Sequence, residues 1–280
     1  MNTLDLSGKI DSKSIAIYSA IDKAIREMDI SYMVVGASAR DLVLHYGYGA
    51  RVKRATADID FGIQVPDWKT FDVLRNELIA SSFKETKSQY CLSYDGMTID
   101  LVPFGALQDN EAKIAWPPKG DVVMNMLGFQ EAVENAVSVI IQDTPKIEIP
   151  VVTPSGLSLL KIICWTDRDA DLKNKDAKDL LYLLKTYEEI PEIKGSIYEY
   201  PELEEEFGWD ITLGSAFKLG VDAATISSKQ TIDYLKQIED DQIDKRSSDL
   251  LIEDMCEDIE EEFERNKKLL SAYFRGINHK

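Results

Sequence analysis

Apolar residues recur at three-to-four spacing through Ile15, Ile17, Ala20, Ile21, Ala24, Ile25 and Met28. That spacing predicts an amphipathic helix over 14–28. The run Tyr32-Met33-Val34-Val35 reaches Gly36 and reads as a buried strand entering a turn. Ser38 is placed to cap a helix through Leu42, Val43, Leu44 and Tyr46, closed by Tyr48-Gly49. Alternation over 58–65 predicts a second strand, stopped by Pro66, and 68–79 reads as a helix. Segments 90–94 and 97–103 flank Asp95-Gly96, a hairpin signal. Extended segments 136–141 and 146–151 flank Asp143-Thr144-Pro145. Thr153-Pro154 then opens a helix with proline at its first position. Helical spacing dominates from there, over 155–168, 175–187, 213–225, 229–240 and 248–275. The order predicts an α+β chain, with a mixed-sheet domain over 1–152 followed by an all-helical domain over 153–280.

Composition narrows the class. Of 280 residues, 44% are hydrophobic and 29% charged, which suits a chain folded around a core and excludes a disordered one. No apolar run reaches the roughly 18 residues that span a bilayer, and the first residues lack a signal-peptide core. A cytoplasmic protein with no membrane association is expected. Cys91, Cys164 and Cys256 are far apart and odd in number, fitting a reducing compartment without a disulfide framework. With two histidines and no CxxC, structural zinc is disfavoured. The net charge of −18 opposes nucleic-acid binding by bulk electrostatics. The acidity is uneven, however. Residues 201–264 hold 20 Asp plus Glu against 5 Lys plus Arg, a net of −15 that leaves −3 for the other 216. This acidic region reads as a solvated face of surface helices. Arg51, Lys53 and Arg54 form a small basic cluster. An anionic substrate must therefore be held by local positive charge or by metal ions.

Three carboxylates carry the chemical signal. Along Ala57-Asp58-Ile59-Asp60-Phe61-Gly62-Ile63, apolar residues alternate with Asp58 and Asp60. Strand side chains alternate faces, so both aspartates point the same way, toward a face that should stay accessible. Asp100 sits inside another strand, Met97-Thr98-Ile99-Asp100-Leu101-Val102. Aspartate is a poor strand former, and an unpaired buried carboxylate costs several kcal/mol or raises its pKa. A divalent metal is the economical compensation, since Mg²⁺ takes carboxylate oxygens and keeps waters for substrate phosphates. The bland reading places these aspartates at strand ends, capping loops. An alternating pair plus a third strand aspartate favours the metal. Upstream, Val34-Val35-Gly36-Ala37-Ser38-Ala39-Arg40-Asp41 is a strand, a tight turn and a helix start. Free backbone amides at such a turn bind phosphate, and Ser38 adds a hydroxyl.

These residues resemble the DNA-polymerase-β-type nucleotidyltransferase superfamily, whose pattern is a Gly-Gly or Gly-Ser turn, an Asp-x-Asp strand and a third Asp on a neighbouring strand. The matching positions are Gly36-Ala37-Ser38, Asp58-Ile59-Asp60 and Asp100. The turn departs from the commonest pattern by Ala37, which keeps the backbone amide. More narrowly, the chain resembles AbiEii-like bacterial toxin nucleotidyltransferases. The segments carrying that resemblance are 54–61, 99–102, and the helix pair 160–168 and 175–180. It covers about residues 15–188, and the tail after 190 matches nothing in that pattern.

In the second domain, Lys161 lies in the apolar stripe of Leu157, Cys164 and Arg168. Such a lysine either snorkels to solvent or aims into a cleft. The resemblance implies the cleft and contact with nucleotide phosphates, with Asp176 orienting Lys161 or the acceptor. Lys175 and Asp179, four apart, read as an ordinary surface ion pair. His45, Trp165, Tyr182 and Tyr187 read as structural residues, and Trp116-Pro117-Pro118 as a rigid loop at the border of a cleft.

The resemblance implies Mg²⁺-dependent transfer of a nucleotide from an NTP to an acceptor hydroxyl. Asp58, Asp60 and Asp100 would hold two ions, Gly36, Ala37 and Ser38 the phosphates, with Lys161 as a second clamp and Arg54 as a further phosphate contact. It also implies tRNA or another nucleic acid as acceptor, and an antitoxin protein as partner. Two alternatives stay open. One is a nucleotidyltransferase acting on a small, antibiotic-type molecule. The other is a non-catalytic protein that binds nucleotide or a partner.

Overall fold

Strand-forming runs separated by turn residues build an eight-stranded mixed sheet in the first of two compact units, Met1–Thr153. The computed structural model describes residues 3–52, 58–167, 170–200, 207–241 and 247–279. Strands β1 (Leu4–Asp5), β2 (Ser31–Val35), β3 (Asp58–Gln64), β4 (Lys84–Glu85), β5 (Cys91–Tyr94), β6 (Met97–Phe104), β9 (Val137–Gln142) and β10 (Ile147–Val151) lie in the order β1-β9-β10-β2-β3-β6-β5-β4. The intervening β7 (Lys113–Ala115) and β8 (Val123–Asn125) form a separate two-stranded sheet. β3 runs antiparallel to β2 and parallel to β6.

The two faces of β3 differ. Ile59, Phe61 and Ile63 are fully buried, and the Phe61 ring meets Tyr18 of helix α1 (Ser12–Glu27) edge-on at 6.0 Å. Helix α3 (Trp68–Ala80) packs against α1. On the opposite face, a Cβ at Gly62 would touch Met33 Cε at 3.3 Å and Phe129 at 3.4 Å. Phe129 opens the short helix α4 (Phe129–Glu134) and meets Phe104 at 5.4 Å. So α4 covers the far half of this face. Asp58 and Asp60, in the near half, stay half-buried.

The chain leaves β2 at Gly36 and enters helix α2 (Gly36–Arg40), which continues as a π-helical stretch, Asp41–Gly47. The helix therefore starts two residues before the expected Ser38 cap. Ser38 sits inside its first turn and donates its hydroxyl to the Val35 carbonyl at 3.1 Å. The aromatic Trp116 packs among Trp68, Phe71 and Tyr90 and is a core residue of this unit.

The second unit, Pro154–Lys280, is helical. Its elements are α5 (Pro154–Asp167), α6 (Ala170–Thr186), α7 (Pro191–Ser196), α8 (Ile211–Ile226), α9 (Lys229–Glu239), α10 (Ser247–Met255) and α11 (Ile259–Ile277). The expected helix over 248–275 is two helices. Asp258 adopts extended backbone and accepts hydrogen bonds from the Glu260 and Glu261 amides, so it caps α11 and separates it from α10. α8 and α11 approach at glycines. A Cβ at Gly220 would lie 2.0 Å from the Tyr273 carbonyl oxygen, and one at Gly276 would lie 2.1 Å from that of Phe217. Trp165, Tyr182 and Tyr187 are buried, and the three cysteines are free thiols. Among the described residues, no helix is long and apolar enough to cross a membrane.

Candidate active site

Strand register brings the sequence-predicted aspartates to one place. Asp60 pairs with Asp100 across the parallel β3–β6 ladder, and Asp58 pairs with Thr98. Partners in register project to the same face, and Asp58 lies two residues from Asp60. All three carboxylates therefore share one face at one end of the sheet. All three residues are half-buried.

The end of β2 meets them there. Val35 pairs with Asp60, and Gly36 follows with φ +69°. A Cβ at Gly36 would lie 2.0 Å from Asp60 Oδ2 and 2.7 Å from its Cγ. Only glycine fits this position, for two reasons. The left-handed backbone disfavours a side chain, and the Asp60 carboxylate occupies the space it would need. Ala37 and Ser38 are buried in the first turn that follows. Just beyond them, Arg40 Nε and Nη2 bond Asp41 Oδ1 at 2.9 and 2.8 Å, with both side chains buried. Sequence reasoning did not single out this pair. Lys53 and Arg54 of the expected basic cluster lie outside the described residues, and Arg51 is exposed.

Asp58 and Ser38 also border a cavity of about 300 Å³, with Asp11, Ser14, Tyr18, Asp41, His45 and Tyr46 among its other walls. His45 Nδ1 lies 2.7 Å from the Ala50 carbonyl oxygen, which fixes its ring. Burial pushes the Tyr18 hydroxyl's pKa well above its ordinary value. On the sheet's other side strand, Cys91 pairs with Asp100. Burial pushes this thiol up, and the neighbouring Asp100 carboxylate adds to the effect.

The donor set suits a hard divalent cation: three carboxylates from two strands, on one face, at a half-buried sheet end. The Gly36 cradle adds that the Asp60 carboxylate is seated against the turn that precedes α2. As the side chains stand, no three His, Cys, Asp or Glu groups among the described residues are gathered into a set that would hold an ion. The strand register brings the three aspartates to one end of one face.

The second unit holds the other predicted residues. Lys161 on α5 bonds Asp176 Oδ1 at 2.9 Å and Asp179 Oδ2 at 2.7 Å, both on α6. The side chains are only 13%, 5% and 9% exposed. Burial alone would lower the lysine pKa, but attraction to the two aspartates overrides it and holds the ammonium above the ordinary lysine range. Lys161 and Asp176 meet, as expected. Asp179 is a correction: it is buried on Lys161, whereas Lys175, its expected partner, is exposed. The signal was present in the sequence, because Asp176 and Asp179 are three apart and share one helix face.

The family model for nucleotidyl transferase AbiEii toxin, Type IV TA system, matches residues 31–271. The match covers most of the chain, and the protein belongs to this family of nucleotidyltransferases. It runs well past residue 190, where the sequence reading found no resemblance. No curated protein matches the chain. Among solved structures, ANT(2")-Ia in complex with adenylyl-2"-tobramycin is similar at 13% identity. That match covers 61% of this chain and 88% of the other, with TM-score 0.38. The Thermotoga maritima CCA-adding enzyme complexed with tRNA is similar at 12% identity over 98% of this chain and 85% of its own, with TM-score 0.26. Scores this low carry no argument about substrate or mechanism.

Proposed function

We propose that the protein transfers a nucleotide from an NTP to an acceptor hydroxyl in a Mg²⁺-dependent reaction, with Asp58, Asp60 and Asp100 as the metal-holding carboxylates. The observation that carries this reading is the register of Asp60 with Asp100, together with the seating of the Asp60 carboxylate on Gly36. When bound, two Mg²⁺ ions supply positive charge against the triphosphate and lower the pKa of the acceptor hydroxyl. The Gly36–Ser38 turn offers backbone amides at the start of a helix to the β- and γ-phosphates. Because Gly36 carries no side chain, the Asp60 carboxylate can lie against the backbone of this turn. In the helical unit, Asp176 and Asp179 hold the charged form and direction of Lys161. Arg54 adds a phosphate contact on the strength of its sequence position alone.

Family membership supports a link to an antitoxin, since the family is one of toxins in a type IV toxin–antitoxin system; a nucleic-acid acceptor, tRNA among them, is proposed from the sequence resemblance. A second reading keeps the chemistry and changes the acceptor to a small cationic, hydroxyl-bearing molecule. The cavity beside Asp58 favours it, with Asp11 and Asp41 in its walls.

The test incubates the protein and Mg²⁺ with each α-labelled NTP in turn, against total RNA and against aminoglycosides. Label should pass to one acceptor class. Asp58→Ala and Asp60→Ala should each lose it by about 10³-fold or more, an effect of the size that removing transition-state electrostatics produces. Their thermal unfolding should stay cooperative. Retained transfer by both variants would overturn the assignment, and label on aminoglycosides alone would select the second reading.

A further inference from the structure

The two most exposed large apolar side chains among the described residues stand next to each other. Tyr198 is 60% exposed and Trp209 64%, and their ring centroids are 6.4 Å apart. Single apolar residues scattered over a surface are ordinary, whereas contiguous exposed apolar surface marks a contact site. Tyr198 follows α7 and Trp209 precedes α8, so the pair belongs to the helical unit. Both rings line a cavity of about 30 Å³, walled also by Ile197, Tyr200, Phe207 and Ile211. That is room for about two waters, and apolar walls offer water few partners. The space suits the tip of one apolar side chain.

Trp209 is held there at a cost. Its backbone has φ +67°, in the left-handed region where a bulky side chain is an outlier. Gly208 before it takes the same region at φ +56°, where glycine is at ease. A turn of this shape alone would be better served at 209 by glycine, asparagine or aspartate. The exposed indole gains little from burial to offset the strain. Strain kept at an exposed aromatic residue points to a use outside the fold.

Charge decides the occupant. Residues 188–210 hold nine Asp plus Glu against one lysine, Lys194. Glu189, Glu192 and Glu199 are exposed, while Arg265 is engaged with Asp210. Such a field repels nucleic acid and draws in cations. The faces of tryptophan and tyrosine also attract lysine and arginine side chains. Arg275 already makes that contact with another wall of the cavity, standing over the Phe207 ring at 5.8 Å.

We infer that this aromatic cleft is a docking site for a basic segment of a partner protein. The segment places one apolar side chain in the cavity and its lysines or arginines against the Trp209 and Tyr198 rings and the flanking glutamates. The inference is independent of the reaction proposed for the sheet unit. It gives part of the acidic stretch a role beyond that of a solvated face.

The experiment titrates the full chain with a short peptide of lysines around one central leucine, read by calorimetry and by acrylamide quenching of tryptophan fluorescence. Trp116 and Trp165 are buried and Trp68 is partly so, so Trp209 dominates the quenchable signal. The peptide should shield it. Replacing the central leucine by serine should weaken binding about tenfold. Trp209→Gly and Tyr198→Ser should each weaken the leucine peptide about tenfold or more. Trp209→Gly should melt no lower than wild type, because glycine relieves the left-handed backbone. Equal affinity for the leucine and serine peptides, or unchanged affinity in both variants, would reduce the contact to diffuse charge and overturn the inference. So would a failure of the leucine peptide to bind. Polyuridylate that shields Trp209 would overturn it as well, by making the surface a base-stacking one. A lowered melting temperature with unchanged affinity would mark the rings as structural and overturn it too.

Discussion

The two units of this chain treat buried carboxylates in opposite ways. In the helical unit, Asp176 and Asp179 are almost fully buried and share the ammonium of Lys161. The protein supplies the counter-charge, at fixed distance, from its own helix pair. In the sheet unit, Asp58, Asp60 and Asp100 stay half-buried at a strand end, beside a turn with positive φ and no side chain. The first arrangement suits structure, because charges neutralised inside a fold are costly to separate. The second suits an exchangeable ligand, because partly solvated oxygens can trade water for a cation. The difference shows that the placement of acidic residues, more than their number, separates a structural cluster from a candidate reaction centre.

Substitution should separate the two arrangements most sharply in stability. Lys161→Met leaves two buried carboxylates without their cation and should cost about 3–5 kcal/mol. Asp60→Ala should leave the urea midpoint unchanged or raise it. Equal losses in the two variants would erase the contrast. The pH dependence has a definite sign. Lys161 has a folded pKa above its ordinary value, so its contribution is complete below about pH 10.4 and is lost as pH rises through the folded pKa. The stability gap between wild type and Lys161→Met should be flat from neutral pH to about 10 and close above it.

Next in size is Gly276→Ala. Its Cβ would meet the Phe217 carbonyl oxygen at 2.1 Å, and backbone cannot move aside as a side-chain tip does. A loss of about 3 kcal/mol is expected, at the upper end of overpacking costs, read by thermal unfolding with nucleotide transfer per folded molecule preserved. Asp258→Ala should cost about 1 kcal/mol through the lost α11 cap, read by the same method. The smallest effect is expected for Asp210→Asn. The hydrogen bond from Arg265 holds the Asp210 carboxyl below its ordinary range. Its contribution is thus present above about pH 3.9 and lost as pH falls through the lowered folded value. Asparagine keeps the α8 cap to Leu213. The variant should flatten the acid limb of stability by less than about 1 kcal/mol, since both partners are about a third exposed and screened.

Much of the strand that carries the proposed site was legible before the fold. Alternation placed Asp58 and Asp60 on one face, and the Asp-Gly hairpin aimed the strand of Asp100 in a definite direction. The π-helical stretch after Arg40 was not legible, because π and α windings share the same apolar spacing over so short a run. The break at Asp258 was missed for a related reason: apolar residues on both sides keep helical period, and only the cap geometry divides them.

The sequence by itself determined the α+β order, the three strand aspartates, the glycine turn and the resemblance that family membership later matched. These are local or periodic properties, written in residues a few positions apart. Only the tertiary structure decided that Asp60 stands level with Asp100, that its carboxylate takes the space of a missing Cβ at Gly36, and that Lys161 is enclosed by Asp176 and Asp179. Each of these joins residues separated along the chain. Register and close packing arise from the fit of whole elements, and no local pattern carries that information.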